Sequence, residues 1–443
     1  MNTVDTIAAP ASAVGGAVTV IRISGPESLQ VLKKVWQGRN DPGKESNYRK
    51  MLLGKVNGDP ALAVFMPGPR SYTGDDVAEL HCHGGAAAAA NAINAILSAG
   101  ARSAEPGEFT FRAFVNGKLD LTQAEAVSDL ISAGSDAAFK LAERQLAGSL
   151  SEKLNTVYDR ISSVISECEA RLDFPDEDLD FDPQDAEKIA EIRQEIKTLL
   201  DSGRAGALLR DGIDVVLAGK PNAGKSSLFN LLAGSERAIV TPIPGTTRDT
   251  VESQIVLCDL PVKLTDTAGL RESADPVEQL GVARSRRAIA AAKVIFWILD
   301  SSNPDLQSEI SEMEFAPGTI AVWNKSDLLP HGTELPELPC PAVKISVAEN
   351  RNIDTLLKAF TDMVYGEGES ARIPEVAVNA RSQALLEESD AALLQAMEQF
   401  AAGDFELAAS DLRNAMHAIG KITGKSSDPD ILDEIFRNFC IGK

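Results

Sequence analysis

Apolar and polar positions follow a different rhythm in four successive stretches of the chain. Up to residue 116, short runs of β-like alternation are broken by turns. Residues 16–23 read as a strand ended by Ser24-Gly25-Pro26; residues 76–82 read as a second, followed by Gly84-Gly85 and an Ala-rich helix to about residue 97. This predicts a small α/β domain over 1–116. From 117 to 208, long stretches free of Gly and Pro predict helices, interrupted by an acidic loop at 174–183. Residues 209–368 alternate β-rich with helical runs, the signature of a parallel sheet, with clear strands at 214–218, 262–265, 294–300 and 319–323. Beyond Pro374 the chain is helical again to about Ile422. The helical stretches 117–208 and 369–443 flank the sheet-forming segment, so they are expected to pack together with that α/β segment inserted between them.

Composition narrows the chemistry. A chain of 443 residues suits about three domains. Its 43 basic and 65 acidic residues give a formal charge of −22, which argues against a free-standing nucleic-acid binder because phosphate is repelled on average. A local basic patch or a basic partner still admits RNA. No apolar run approaches the ~20 residues of a membrane span, and Asp5 stands where a secretory signal carries positive charge. The expected location is the cytoplasm, with neither membrane nor DNA as a partner. Cys82, Cys168, Cys258, Cys340 and Cys440 are odd in number, scattered and without a C-x-x-C pair, so no disulfide framework or zinc site is expected.

Gly219-Lys220-Pro221-Asn222-Ala223-Gly224-Lys225-Ser226 fits G-x-x-x-x-G-K-[ST], after an apolar strand and opening a helix at about 227–232. In such a loop the backbone N–H groups of Asn222, Ala223, Gly224, Lys225, Ser226 and Ser227 close around phosphates, helped by the field of the helix N-terminus. Lys225 is expected on the β- and γ-phosphates and the Ser226 hydroxyl on magnesium. A chance Gly-rich turn is the ordinary alternative, and three further elements in order weigh against it. Asp266-Thr267-Ala268-Gly269 ends the next clear strand, placing Asp266 near magnesium and the Gly269 amide at the γ-phosphate. Asn324-Lys325-Ser326-Asp327 ends a later strand, where the Asp327 carboxylate can accept from both N1–H and the amino group of guanine, selecting GTP over ATP. Ser346-Val347-Ala348 fits a last base-contacting loop, with Ser346 and Ala348 as contacts. Leu270 stands where many GTPases carry a water-aligning glutamine. The loop 239–249 offers Thr247 to magnesium, and its Arg248 reads equally as an internal arginine finger or as a solvated arginine.

Further blocks lie outside these motifs: Arg22-Ile23-Ser24-Gly25, residues 66–74, His81-Cys82-His83-Gly84-Gly85, Pro106-Gly107-Glu108-Phe109-Thr110, residues 116–126 and the terminal Cys440-Ile441-Gly442-Lys443. With the nucleotide motifs, they resemble the MnmE (TrmE) family of tRNA-modification GTPases over essentially the whole chain. The resemblance implies a folate-binding, dimerising N-terminal domain at 1–116, a helical domain split into 117–208 and 369–443, and a G domain at 209–368. It implies a homodimer that joins the flavoprotein MnmG in a heterotetramer. Together they add an aminomethyl or carboxymethylaminomethyl group to C5 of the wobble uridine of certain tRNAs. The cofactors implied are GTP, Mg2+, K+ and a 5,10-methylene or 5-formyl tetrahydrofolate.

By motif position, Asn222, Thr241, Ile243 and Thr246 would hold potassium, with Thr241 and Thr246 also beside the nucleotide. Glu278 matches the family glutamate that orients the attacking water indirectly, which answers the missing glutamine and demotes Arg248. A fixed monovalent cation beside the β–γ bridging oxygen stabilises charge developing in the transition state. The implied catalytic set is Lys225, Thr247, Gly269 and Glu278; the implied folate contacts are Arg22, Glu79, Lys118 and Lys443. Cys440 reads equally as a nucleophile or one-carbon carrier and as a residue lining the folate site.

His81 and His83 alternate on a strand, and a structural or folate-pocket role is favoured over metal because no third ligand is evident. Asp178, Asp180, Asp182 and Glu187 approach calcium-loop spacing, but Phe181 and Pro183 disfavour it. Gly442 and Lys443 disfavour prenylation of Cys440. The alternative from another class is a GTPase switch acting in ribosome assembly by direct RNA binding. It calls for an appended RNA-binding module or a basic face, and neither is legible here.

Overall fold

The computed structural model describes residues 4–173, 184–235, 251–266, 287–311, 313, 315–330, 332–366, 374–426 and 429–443. In chain order the strands are β1 Ile7–Pro10, β2 Val18–Ser24, β3 Trp36–Gly38, β4 Leu52–Val56, β5 Asp59–Met66, β6 Val77–His83, β7 Arg102–Ser103, β8 Ile213–Ala218, β9 Val251–Leu257, β10 Leu260–Asp266, β11 Val294–Asp300, β12 Thr319–Asn324 and β13 Ala342–Lys344. The helices are α1 Ser28–Val35, α2 Ala86–Ser98, α3 Glu108–Val115, α4 Leu121–Ser132, α5 Asp136–Leu146, α6 Ser149–Asp173, α7 Gln184–Asp211, α8 Lys225–Ser235, α9 Leu306–Ser311, α10 Ile353–Tyr365, α11 Ala380–Ala402, α12 Phe405–Thr423 and α13 Pro429–Arg437. Contacts group these into two units, one of residues 1–131, 144–197 and 380–443, the other of 132–143 and 198–379.

In the first unit a seven-stranded sheet has the order β3-β4-β5-β6-β2-β1-β7, antiparallel except where β1 meets β7. Alternation along β2 sends Ile21 and Ile23 into a core with Val31 and Leu32 of α1 and Ala92 and Ile96 of α2. Arg22 is therefore turned to the opposite face. Where β1, β7 and α3 meet, four charges interlock. Arg102 Nε donates to Asp5 Oδ2 at 2.7 Å and Arg102 Nη2 to Glu108 Oε1 at 2.5 Å. The fully buried Arg112 donates to Asp5 Oδ1 at 2.7 Å and to Glu108 Oε1 at 3.1 Å. Burial by itself pushes the Asp5 and Glu108 carboxyls up, but the arginine hydrogen bonds more than offset it and hold both below their ordinary range.

The helical part of this unit joins segments from both ends of the chain. Arg381 of α11 donates to Glu125 of α4 through Nε at 3.0 Å and Nη2 at 3.1 Å, and also to the Lys421 and Ile422 carbonyls of α12. The helical reading stopped at about Ile422, yet α13 lies beyond it. Phe436 and Phe439, with Leu432 and Ile435 beside them, pack on Phe111, Leu121 and Ala124. Nine residues hold too few apolar repeats to stand out as a helix until α3 and α4 cover that face.

The second unit carries a six-stranded sheet in the order β13-β12-β11-β8-β10-β9, parallel except for the β9–β10 hairpin. Five of the six residues of β8 are buried, as suits a central strand covered on both faces. The core runs from Val215 and Leu217 through Leu228 and Leu232 of α8 to Phe296, Val322, Leu356 and Phe360. The four predicted strands of this segment are present as β8, β10, β11 and β12.

Candidate functional site

The phosphate loop joins β8 to α8 at the carboxyl end of the parallel sheet, where open α/β sheets bind ligands. Two glycines are required by close approach. Gly219, at φ +134, has no room for a Cβ against the Ile298 carbonyl, and Gly224, at φ +105, none against the Asn324 amide. The Lys225 ammonium is buried and donates to the Gly219 and Lys220 carbonyls at 2.6 and 2.7 Å, across the hollow of the loop. Desolvation pushes its pKa down against the opposing fields of Asp266 and Glu309. Ser226 Oγ donates to Asp266 Oδ2 at 2.9 Å, bringing together the two oxygen groups expected at magnesium. Ala223 is buried, while Asn222 (φ +65), Ser226 and Ser227 are open to solvent. A glycine-rich turn into a helix N-terminus, with a buried lysine and a hydroxyl–carboxylate pair beside it, suits a magnesium-bound polyphosphate.

The end of β12 is tied to the loops around it. Asn324 Nδ2 donates to the Ala223 carbonyl at 2.8 Å and its Oδ1 accepts from Val347 N at 3.2 Å, linking the phosphate loop to the loop after β13. Lys325 Nζ donates to Asp300 Oδ2 at 2.5 Å. Ser346 Oγ donates to Asp327 Oδ1 at 2.5 Å and accepts from Glu349 N at 3.2 Å, while Ala348 is exposed in the same loop. The motifs pointed to Asn324, Lys325, Asp327 and Ser346 but not to Asp300, the last residue of β11, or Glu309 in α9. For Asp300 the signal was an acidic residue closing a buried strand; Glu309, inside a short helix, gave none. Thr241, Ile243, Thr246, Thr247, Arg248, Gly269, Leu270 and Glu278 lie outside the described residues, as do Asp178, Asp180 and Asp182 of the acidic loop.

In the first unit, Arg22 and Glu79 face each other across the β2–β6 ladder, and Arg22 Nε donates to Glu79 Oε1 at 2.9 Å. The guanidinium lies 5.0 Å from the Tyr72 ring centroid and 5.8 Å from that of Phe109. Tyr72 and Thr110 share a hydroxyl–hydroxyl hydrogen bond of 2.8 Å. His81 Nε2, 3.6 Å from Glu79 Oε2, is buried with no hydrogen-bond partner among the described residues, and His83 Nδ1 is 2.8 Å from Asp59 Oδ1. The terminal residues dock beside this cluster: Phe109 N donates to the Lys443 carbonyl at 3.2 Å and Gly107 N to that of Cys440 at 3.4 Å. Gly442, at φ +95, leaves no space for a Cβ against the Pro10 carbonyl. The Cys440 side chain is exposed. Lys118 Nζ donates to the Pro69 carbonyl at 3.2 Å. A cation, a carboxylate and an orphaned imidazole nitrogen beside two aromatic rings suit a ring heterocycle with both donors and acceptors.

Known proteins match both units. The description "GTP-binding protein TrmE N-terminus" fits residues 6–118, and "MnmE helical domain" fits 121–440. The helical description brackets the nucleotide-binding segment, so the P-loop α/β domain is an insertion within the helical domain. The tRNA modification GTPase MnmE of Natranaerobius thermophilus is 40% identical over 460 residues, covering 100% of both chains. That of Symbiobacterium thermophilum is 41% identical over 463 residues, covering 99% of each. Among solved structures, the G domain of the T. maritima FeoB iron transporter covers 34% of this chain at 27% identity, with a TM-score of 0.26, too low to speak for the chain as a whole. No helix among the described residues is long and apolar enough to cross a membrane. By identity sustained from end to end and by both family descriptions, the chain belongs to the MnmE (TrmE) family of tRNA-modification GTPases.

Proposed function

We propose that this chain is a potassium-activated GTP hydrolase of tRNA modification, acting in the cytoplasm as a homodimer with the flavoprotein MnmG. The product is an aminomethyl or carboxymethylaminomethyl group on C5 of the wobble uridine, built with a one-carbon unit from a tetrahydrofolate derivative. Domain limits of 1–116, 117–208, 209–368 and 369–443 go with this reading. The observation that carries it is the convergence of Lys225, Ser226, Asp266, Asn324 and Asp327 on one end of a parallel sheet.

Lys225, released from the Gly219 and Lys220 carbonyls, holds the β- and γ-phosphates. Ser226 and Asp266, already in hydrogen-bond contact, hold magnesium with Thr247. Asp327 reads guanine, and the Gly269 amide meets the γ-phosphate. Asn222, with Thr241, Ile243 and Thr246, holds potassium, an ion that supplies positive charge beside the scissile phosphate. Glu278 orients the attacking water indirectly. In the other unit, Glu79 accepts from the donors of a pterin ring while Arg22 and Lys443 balance the folate carboxylates, with Lys118 at the outer end.

The test is steady-state GTP hydrolysis by the whole protein in potassium and in sodium at equal ionic strength. Potassium is expected to raise kcat at least tenfold, and Glu278→Ala to remove most of that activity while GDP binding persists. Equal rates in the two salts would end the potassium mechanism and leave the nucleotide site standing.

A further inference from the structure

Lys325 makes a contact that neither phosphate binding nor guanine readout requires by itself. Asp300 closes β11 directly opposite Asn324 of β12, and its Oδ2 takes the Lys325 ammonium at 2.5 Å. Its Oδ1 accepts from Ser302 N at 3.0 Å and Ser302 Oγ at 2.6 Å, which fixes the carboxylate plane. Ser301 fastens the same turn to β12, its N and Oγ donating to the Asn324 carbonyl at 3.0 and 2.5 Å. From α9, the buried Glu309 accepts from Asp300 N at 3.1 Å and from Asn303 Nδ2 at 2.6 Å. Asp300 is thus held by its own backbone, by Ser302 and by Glu309, so the lysine bends to the carboxylate rather than the reverse.

A free lysine side chain samples many rotamers, and ordering it when a ligand arrives subtracts from affinity. Lys325 lies between Asn324 and Asp327, both already pinned, and its own backbone sits in the left-handed region at φ +61. We infer that Asp300 is a positioning residue for guanine nucleotides: by anchoring the Lys325 ammonium it sets the lysine stem in advance as an apolar wall of the base pocket. The inference rests on Asn324-Lys325-Ser326-Asp327 being the guanine-contacting element. It adds a residue from a different strand, whose effect on the nucleotide passes through Lys325.

The test is a double-mutant cycle on the full chain, read by equilibrium titration with N-methylanthraniloyl-GDP. Asp300→Asn is expected to weaken binding about five- to tenfold, the scale of a partly exposed charged hydrogen bond. Lys325→Met keeps an apolar stem and removes the ammonium; adding Asp300→Asn to it is expected to change affinity less than twofold. An equal loss from Asp300→Asn with and without the ammonium overturns the inference, because the carboxylate then acts through something other than Lys325. Should Asp300→Asn fail to fold, Asp300→Glu, which keeps the charge and moves it by one methylene, is read by the same cycle and the same criterion. Asp327→Asn tests the underlying reading separately. A switch in preference from guanosine to xanthosine diphosphate upholds it, whereas an unchanged preference defeats the base-contacting element itself, whatever the cycle shows.

Discussion

Asn324 ties the phosphate loop to the loop after β13 through a single side chain. Its amide satisfies the Ala223 carbonyl of the phosphate loop and the Val347 amide, and it is itself 3% exposed. Truncation leaves both partners without a hydrogen bond in a place water reaches poorly. Asn324→Ala is therefore expected to destabilise the nucleotide-binding unit by about 2 kcal/mol, measured by urea denaturation, and to weaken GDP binding at least tenfold. Asn324 was legible from its motif, because strand-end Asn-Lys-x-Asp is a pattern of local chain positions. Asp300 was not. An aspartate at a strand end is an ordinary sight in sequence, and only the pairing of β11 with β12 brings it to Lys325.

Among elements, a charge cluster joins β1, β7 and α3. Asp5 and Glu108 are held below their ordinary values of 3.8 and 4.5 by Arg102 and Arg112. A carboxyl with a depressed folded pKa contributes stability that is complete above its unfolded value and is lost as pH falls through the folded one. The N-terminal sheet is thus expected to hold level stability from neutral pH down to about 5 and to weaken progressively below it. In Glu108→Gln, stability at pH 7 should be lower and the acid decline shallower, as read by chemical denaturation at several pH values. A decline unchanged by the substitution would assign acid sensitivity to other carboxyls. Nothing in the local pattern of Asp5 pointed to this role, since its partners are about a hundred residues away. Long helices and central strands, in contrast, were readable because their apolar periods repeat many times, whereas α13 repeats too few.

For the molecule as a whole, residues 440–443 come back to the strand β1 within one unit. The terminal Cys440–Lys443 segment lies on the turn before α3 and on β1, with Gly442 against the Pro10 carbonyl. Gly442→Val cannot keep that approach, both for lack of space and because φ +95 is strained for a branched residue. It is expected to weaken binding of 5-formyltetrahydrofolate at least tenfold in a fluorescence titration, while GTP hydrolysis by the same preparation changes less than twofold. Unaltered folate binding would detach the terminal segment from that site. Net charge belongs to this scale as well: at −22 the chain suits a protein that meets tRNA through restricted surfaces or through a partner.

What the sequence determined by itself were the things that local pattern encodes: the helical and α/β stretches, the phosphate-loop motif, the Asn-Lys-x-Asp motif at a strand end, the inserted order of domains and the family. Each depends on residues near one another in the chain, with a fixed period or spacing. Tertiary structure decided which side chains the motif residues lean on. The Arg22–Glu79 pair follows from strand register, the Asp300–Lys325 pair from the order of parallel strands, and the docking of residues 440–443 on β1 from the packing of distant segments within one unit. Such contacts leave no local trace, because a partner's identity is set by backbone topology rather than by distance along the chain.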